Sequence, residues 1–112
     1  MKIWWKIVEK KNGKLYSLFH GNQGSRELPL GQWVSADIKK VHDGTNGTQY
    51  TSGWHVIATK SEARRYLKKF TADRVLLVVP CRARNVSPKH HSRFDVHLAK
   101  ALFIYKGAIN ES

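Results

Sequence analysis

The sequence predicts an α+β fold, in which one main amphipathic helix packs on a twisted, mostly antiparallel sheet. Three observations predict it: an alternating N-terminal segment with a turn dipeptide, a capping signal that precedes an apolar stripe, and a run of β-branched residues. A chain of 112 residues, 41% of them hydrophobic, has the ordinary size of one domain with one core. We therefore expect residues 1–112 to form a single domain.

The N-terminal segment predicts a β-hairpin over residues 2–20. Residues 2–9 place Ile, Trp and Ile at every second position, which is the period of a half-buried strand. Asn12-Gly13 supplies the positive φ angles of a two-residue type I′ turn, and residues 15–20 provide the returning strand.

Short strands and loops are expected next. Residues 21–30 and 42–47 are rich in Gly, Asn and other turn-forming residues, so they predict loops. Residues 32–38 and 50–58 predict strands, the second interrupted by Gly53.

The clearest local signal predicts a helix. Thr59 and Glu62 have the spacing of a capping box, in which the hydroxyl accepts from the backbone N–H three residues on. The residues that follow carry an apolar stripe at helical spacing, with cations on the remaining surface. The stripe consists of Ala63, Tyr66, Leu67 and Phe70.

The last third of the chain predicts two strands separated by a loop. Val75–Val79 is a continuous β-branched and leucine run that suits a central strand buried on both faces, and Pro80 is expected to end it. Residues 81–93 are basic and lack apolar periodicity, so they predict a long surface loop. A final strand is expected over residues 98–106.

Positive charge is concentrated in three segments. The chain carries 20 Lys and Arg against 8 Asp and Glu, a formal net charge of +12. Residues 1–14, 60–74 and 82–93 each contribute +4, and the remainder balances to zero. Charge at this density favours an acidic partner, although a merely solubilising surface is the alternative. The N-terminal charge is also open to another interpretation, that of a strand face guarding a sheet edge from pairing.

The interleaving of cations with aromatic residues predicts nucleic-acid binding. Lys and Arg neutralise phosphates while rings stack on unpaired bases. The chain has no zinc finger, RNP motif or helix-turn-helix signal. Contacts to the sugar–phosphate backbone of the nucleic acid should therefore dominate, and binding should be salt-sensitive. The candidate residues lie on the basic helix, in the segment 82–93 and at the N-terminus: Lys60, Arg64, Arg65, Lys68, Lys69, Arg82, Arg84, Lys89, Arg93 and Trp4.

Five short motifs carry a resemblance. LYSLF (15–19), LPLGQWVSA (28–36), GTQYTSGWHV (47–56), A-x-x-YL (63–67) and LAKAL (98–102) resemble those of small, mostly uncharacterised proteins that bacteriophages and prophages encode. The resemblance implies a phage accessory protein that acts on host machinery. The same basic surfaces then also suit an inhibitor of a host nucleic-acid-handling or defence complex, as in anti-CRISPR proteins.

Enzymatic function has weaker support. Leu18-Phe19-His20-Gly21 and Tyr50-Thr51-Ser52 look like two elements of ADP-ribosyltransferases, but the late glutamate of that family has no counterpart in a strong strand. His55 is interpreted as a hydrogen-bonded structural histidine. Nucleotide-binding glycine loops, nucleophile elbows and metal-ligand spacings are absent from the sequence, so we expect no cofactor and no metal.

The sequence also predicts the compartment. It shows neither an apolar run long enough for a bilayer nor the pattern of a signal peptide, so we expect no membrane partner. Cys81, the single cysteine, fits a reducing compartment and a buried thiol. We therefore expect a location in the cytoplasm of a bacterial host.

Overall fold

The computed structural model describes residues 2–18, 26–36, 40–42, 49–51, 53–70, 75–89 and 94–108. The strands named below pair antiparallel throughout, and one helix packs on the larger sheet, which confirms the α+β class. That helix, the one among the described residues, is not long and apolar enough to cross a membrane. In chain order the elements are β1 Trp4–Lys11, β2 Lys14–Ser17, β3 Trp33–Ser35, β4 Lys40–His42, β5 Gln49–Thr51, β6 Trp54–Ile57, α1 Lys60–Leu67, β7 Leu76–Pro88 and β8 Val96–Ile104.

The N-terminal hairpin forms as predicted. β1 and β2 pair antiparallel, with Lys11 opposite Lys14 at the turn. Asn12 has φ 54° and Gly13 has φ 75°, the positive angles that a type I′ turn requires at both central residues. The turn therefore sets the register of the first two strands.

The prediction of a surface loop over residues 81–93 is wrong for most of that range, because β7 continues through Pro80 to Pro88. Pro80 lacks a backbone N–H, but it lies one residue before the β8 ladder begins at Cys81. The inward side of the following stretch is carried by small side chains, Cys81 and Ala83, and then by Val86. Such residues give no strong apolar periodicity, so the strand is hidden in the sequence.

The strand pairings close into a ring. β7 pairs with β1 along Leu76–Cys81 and with β8 along Cys81–Pro88. β6 pairs with four residues of β8, and a single pair, Trp5 with Ile57, joins it to β1. The ring β1–β7–β8–β6 is thus complete, but its β6–β1 junction is narrow. We call this junction the seam.

The edges of the ring also revise one expectation. β1 pairs with β7 on one edge and with β2 and β6 on the other, whereas β2 ends the strand order; that the hairpin's cations guard this edge from pairing stays a hypothesis. Residues 50–58 do not form one strand: β5 pairs with β4 in a separate two-stranded sheet, whereas β6 belongs to the ring. Gly53 lies between them, and a Cβ there would stand 2.9 Å from the Ala99 carbonyl oxygen.

Two apolar clusters pack against the ring of strands, one inside it and one between its outer surface and α1. The interior cluster includes Val8, Val56, Val79 and Leu102, each fully buried. The second cluster lies beneath α1, where Ala63 has no exposed surface. It joins the helix to Ile7, Ile57, Val78 and Val96 of the strands.

The helix begins where the sequence predicts. Thr59 is its N-cap and accepts a hydrogen bond from the backbone N–H of Glu62 at 3.2 Å. The predicted apolar stripe faces the sheet: Tyr66, Leu67 and Phe70 are half-buried against the cluster beneath the helix. The final strand begins two residues before its expected start and ends at Ile104.

Candidate functional site

An arginine–aromatic face lies on the outer side of β7, β8 and β3; it consists of Arg82, Arg84, Trp33, Phe103 and Tyr105. The strand register sets Phe103 between Arg82 on one neighbouring strand and Trp33 on the other. The guanidinium carbon of Arg84 lies 3.8 Å from the centroid of the Trp33 ring. Phe103 lies 5.7 Å from Trp33 and 5.9 Å from Tyr105, centroid to centroid. Basic and aromatic groups therefore alternate on one surface.

The alternation of β7 creates this face. Cys81 and Ala83 point into the ring, so Arg82 and Arg84 point outward. The alternation is interrupted at Asn85, which has φ 53°. After this residue it is Val86 whose side chain points into the ring. The two arginines thus emerge together, immediately before the irregular position.

The stacking of Arg84 on Trp33 suits recognition of a planar group. Such a contact contributes about 0.5–1 kcal/mol at an exposed site. A guanidinium is planar, so one side stacks on the indole while the other can receive a base and its N–H groups reach a phosphate. Arg84 is exposed.

The cations of the helix are accessible, with one exception. Arg64, Lys68 and Lys69 are exposed, whereas Lys60 is half-buried. Arg65 donates to the Glu62 carboxylate at 2.7 Å, an exposed pair that contributes little stability. The helix therefore carries a smaller net charge than its count of cations.

The helix and the arginine–aromatic face lie on the same side of β7. Val78 contributes to the cluster beneath α1, and alternation places Arg82 and Arg84 on the side of Val78. Arg84 is six residues from Val78, about 20 Å along a strand. Lys60 fills part of this interval: its Nζ lies 5.3 Å from the ring centroid of Trp5. Arg82 and Arg84 from one basic segment and Lys60 from another thus lie on the same side of the sheet formed by β1 and β7.

Two further predicted residues, Trp4 and Lys89, lie elsewhere. Trp4 points to the interior side of β1, where its ring contacts that of His97 at 4.9 Å and the Nζ of Lys2 at 4.2 Å. Lys89 lies near β6, with its Nζ 3.0 Å from Nε2 of His55. Neither residue belongs to the arginine–aromatic face. Arg93 lies outside the described residues.

Sequence reasoning missed Trp33, Phe103 and Tyr105. Their spacing along the chain says nothing about Arg82 or Arg84, since only the pairing of three strands brings them together. The sequence did hold one indication of this face. Phe103 and Tyr105 alternate with Leu102 and Ile104, which are buried, so the two aromatic side chains are expected on the opposite side of the strand.

Lys6 is the second feature that sequence reasoning missed. The side chain, 2% exposed, donates from Nζ to the backbone oxygen of His55 at 2.9 Å. Burial lowers its pKa from 10.5 to about 8, partly opposed by neighbouring Cys81. Burial likewise raises the pKa of the Cys81 thiol to about 12. Lys6 therefore belongs to the interior and not to the charged surface.

Comparison with known protein families, characterised proteins and solved structures finds no match for the chain.

The two segments that resemble ADP-ribosyltransferases are only partly described. Residues 19–21 and Ser52 lie outside the described residues. Tyr50 lies in β5, which pairs with β4, while Leu18 follows β2 of the larger sheet. His55, on β6, hydrogen-bonds with Lys89; its interpretation as a structural histidine stays a prediction.

Proposed function

We propose that the chain is a small accessory protein, of the phage-encoded kind that its motifs resemble, which binds nucleic acid mainly through the sugar–phosphate backbone. The observation that carries the proposal is the arginine–aromatic face: Arg84 stacked on Trp33 at 3.8 Å, with Arg82 beside Phe103. On a chain of net charge +12, this surface combines phosphate neutralisation with rings for stacking.

An unpaired strand suits this face better than a duplex. Trp33, Phe103 and Tyr105 are half-buried and held against one another, so they offer ring edges and parts of ring faces at little entropic cost. Bases that are already unstacked gain about 1–3 kcal/mol each from such contacts. The guanidiniums of Arg82 and Arg84 then meet the phosphates between those bases.

The helix extends the surface. Lys60 lies over Trp5, which pairs with Pro80 and so stands next to Arg82 along the outer side of β7. We propose that α1 is amphipathic: its apolar face packs on the sheet, and its exposed face meets the nucleic acid, where Arg64 and Lys68 supply further phosphate contacts. The bound single strand of nucleic acid would then run from Trp33 past Pro80 toward α1.

Fluorescence anisotropy with a labelled oligothymidylate tests the proposal. Trp33→Leu should weaken binding by about 1–3 kcal/mol, because it removes the stacking platform. Arg84→Lys keeps the charge but loses the planar stack, so its affinity should also fall. Lys10→Ala is the matched control: Lys10 is exposed on the hairpin, away from the face. Equal losses in all three variants would contradict a defined site.

The nature of the partner needs a separate experiment, since an acidic host protein could use the same cations. The tagged chain is recovered from bacterial lysate with and without nuclease treatment. The proposal predicts that its partners are lost after nuclease treatment. A single host protein retained after nuclease and released by the Arg82→Ala/Arg84→Ala double substitution would instead identify an inhibitor of that protein.

A further inference from the structure

The seam is a gap in the ring of strands. A β1–β6 ladder continued from the Trp5–Ile57 pair would set Ile7 opposite His55, but the pairing stops after one pair. The Nζ of Lys6 reaches the His55 carbonyl oxygen instead. A side chain thus satisfies an oxygen that a ladder would otherwise have paired.

A pocket of about 210 Å³ lies at this gap. Its volume corresponds to about seven water molecules at about 30 Å³ each, and it is smaller than the roughly 300–1,000 Å³ of pockets for drug-sized ligands. Ile7 and Ile57 line it from the two strands of the seam, and Tyr66 and Phe70 line it from the helix side. The rings of Tyr66 and Phe70 are stacked on each other at 5.2 Å, so aromatic carbon atoms line the helix side of the pocket.

The polar part of the pocket lining consists of Lys6, Lys89 and His55. The Nζ of Lys89 and Nε2 of His55 form a hydrogen bond of 3.0 Å. Among the described residues that line the pocket there are two lysines and no carboxylate. Lys6 is fully buried and its hydrogen-bond partner is a neutral carbonyl.

We propose that the seam pocket binds a small organic anion, a carboxylate or phosphate monoester whose body is about the size of one aromatic ring. The anionic group lies on the side lined by Lys89 and Lys6, and the body packs on Tyr66 and Phe70. A bound anion offsets the charge of a lysine that burial disfavours. The proposal is independent of nucleic-acid binding, because the pocket does not include the arginine–aromatic face.

Calorimetric titration of the full chain with phenyl phosphate, inorganic phosphate and phenol tests the proposal. Phenyl phosphate should bind at least about tenfold more tightly than either fragment, because it alone supplies both the charge and the ring. Lys89→Met should weaken phenyl phosphate binding by about tenfold or more, the effect of one charge-assisted hydrogen bond. Lys69→Met, which removes an exposed helix cation, is the control and should leave binding unchanged.

A second variant separates the ring from the charge. Phe70→Leu should weaken phenyl phosphate binding and leave inorganic phosphate binding as it was. Amide spectra of each variant establish that it is folded. The proposal is overturned if phenyl phosphate binds no better than inorganic phosphate, or if Lys69→Met weakens binding as much as Lys89→Met.

The end of a nucleic-acid strand can carry the same chemistry, so a competition arm identifies the source of the anion. Oligonucleotides with a 5′-phosphate and with a 5′-hydroxyl compete against phenyl phosphate. Displacement by the phosphorylated strand alone supports the pocket with a strand end as its ligand. Displacement by neither supports it with a free small molecule.

Discussion

Buried Lys6 should make the free energy of unfolding rise with pH, and Lys6→Met should remove this contribution. The folded-state pKa of Lys6 is about 8, below its ordinary 10.5. Between these values the unfolded chain binds more protons than the folded one, so the free energy of unfolding rises with pH. The destabilisation is fully present below the folded pKa, decreases as pH rises from the folded toward the unfolded pKa, and is fully relieved above the unfolded pKa.

The magnitude follows from the same two values. Where the unfolded chain binds one proton more than the folded chain, the free energy of unfolding rises by about 1.4 kcal/mol per pH unit. Cys81 acts in the opposite direction, because its pKa is raised from 9.0 to about 12 and the unfolded chain loses the thiol proton first. Below the ordinary thiol pKa the Lys6 contribution dominates, so wild-type stability should rise by about 1 kcal/mol between about pH 7 and pH 9.

Urea denaturation at the two pH values measures this rise. Methionine keeps the volume of Lys6 but leaves the His55 carbonyl oxygen without its donor, so the absolute stability of the variant carries a second effect of about 1–3 kcal/mol. The difference between the pH slopes is free of that effect. Lys10→Met, on the same strand but exposed, should keep the wild-type slope. Equal slopes for wild type and Lys6→Met would refute the account of Lys6 as a buried cation.

Two further predictions concern the fold. Gly53→Ala should lower the free energy of unfolding, because the added Cβ would stand 2.9 Å from the Ala99 backbone oxygen; an unchanged urea midpoint would contradict the close approach of β6 to β8. Thr59→Ala should destabilise the protein by about 1 kcal/mol, the usual loss for an N-cap, measured by thermal unfolding. Ser61→Ala, inside the first turn, is its control and should have a smaller effect.

Local chemistry explains which elements the sequence predicts well. The Asn12-Gly13 turn and the Thr59 cap depend on backbone angles and on hydrogen bonds between near neighbours, and both are found where expected. The class of fold follows from them together with the β-branched run after residue 75. These signals need no knowledge of the rest of the chain.

Long-range pairing explains the rest. Pro80 and the arginines of β7 are typical of a loop, and only the ladders to β1 and β8 hold them in a strand. Lys6 is indistinguishable from its exposed neighbours in the sequence, since its burial depends on the closure of the ring across the seam. The contact of Arg84 with Trp33 likewise depends on the register of three strands.

Nucleic-acid binding through the arginine–aromatic face is tested most directly by the salt dependence of the affinity. Oligothymidylate affinity is measured over a range of salt concentrations for the wild type, for Arg82→Ala/Arg84→Ala and for Lys10→Ala. We expect a steep linear fall of log affinity with log salt, and a slope shallower by about 0.7 for each phosphate that the double variant no longer neutralises. A flat salt dependence, or a double variant with the wild-type slope and affinity, would contradict the claim.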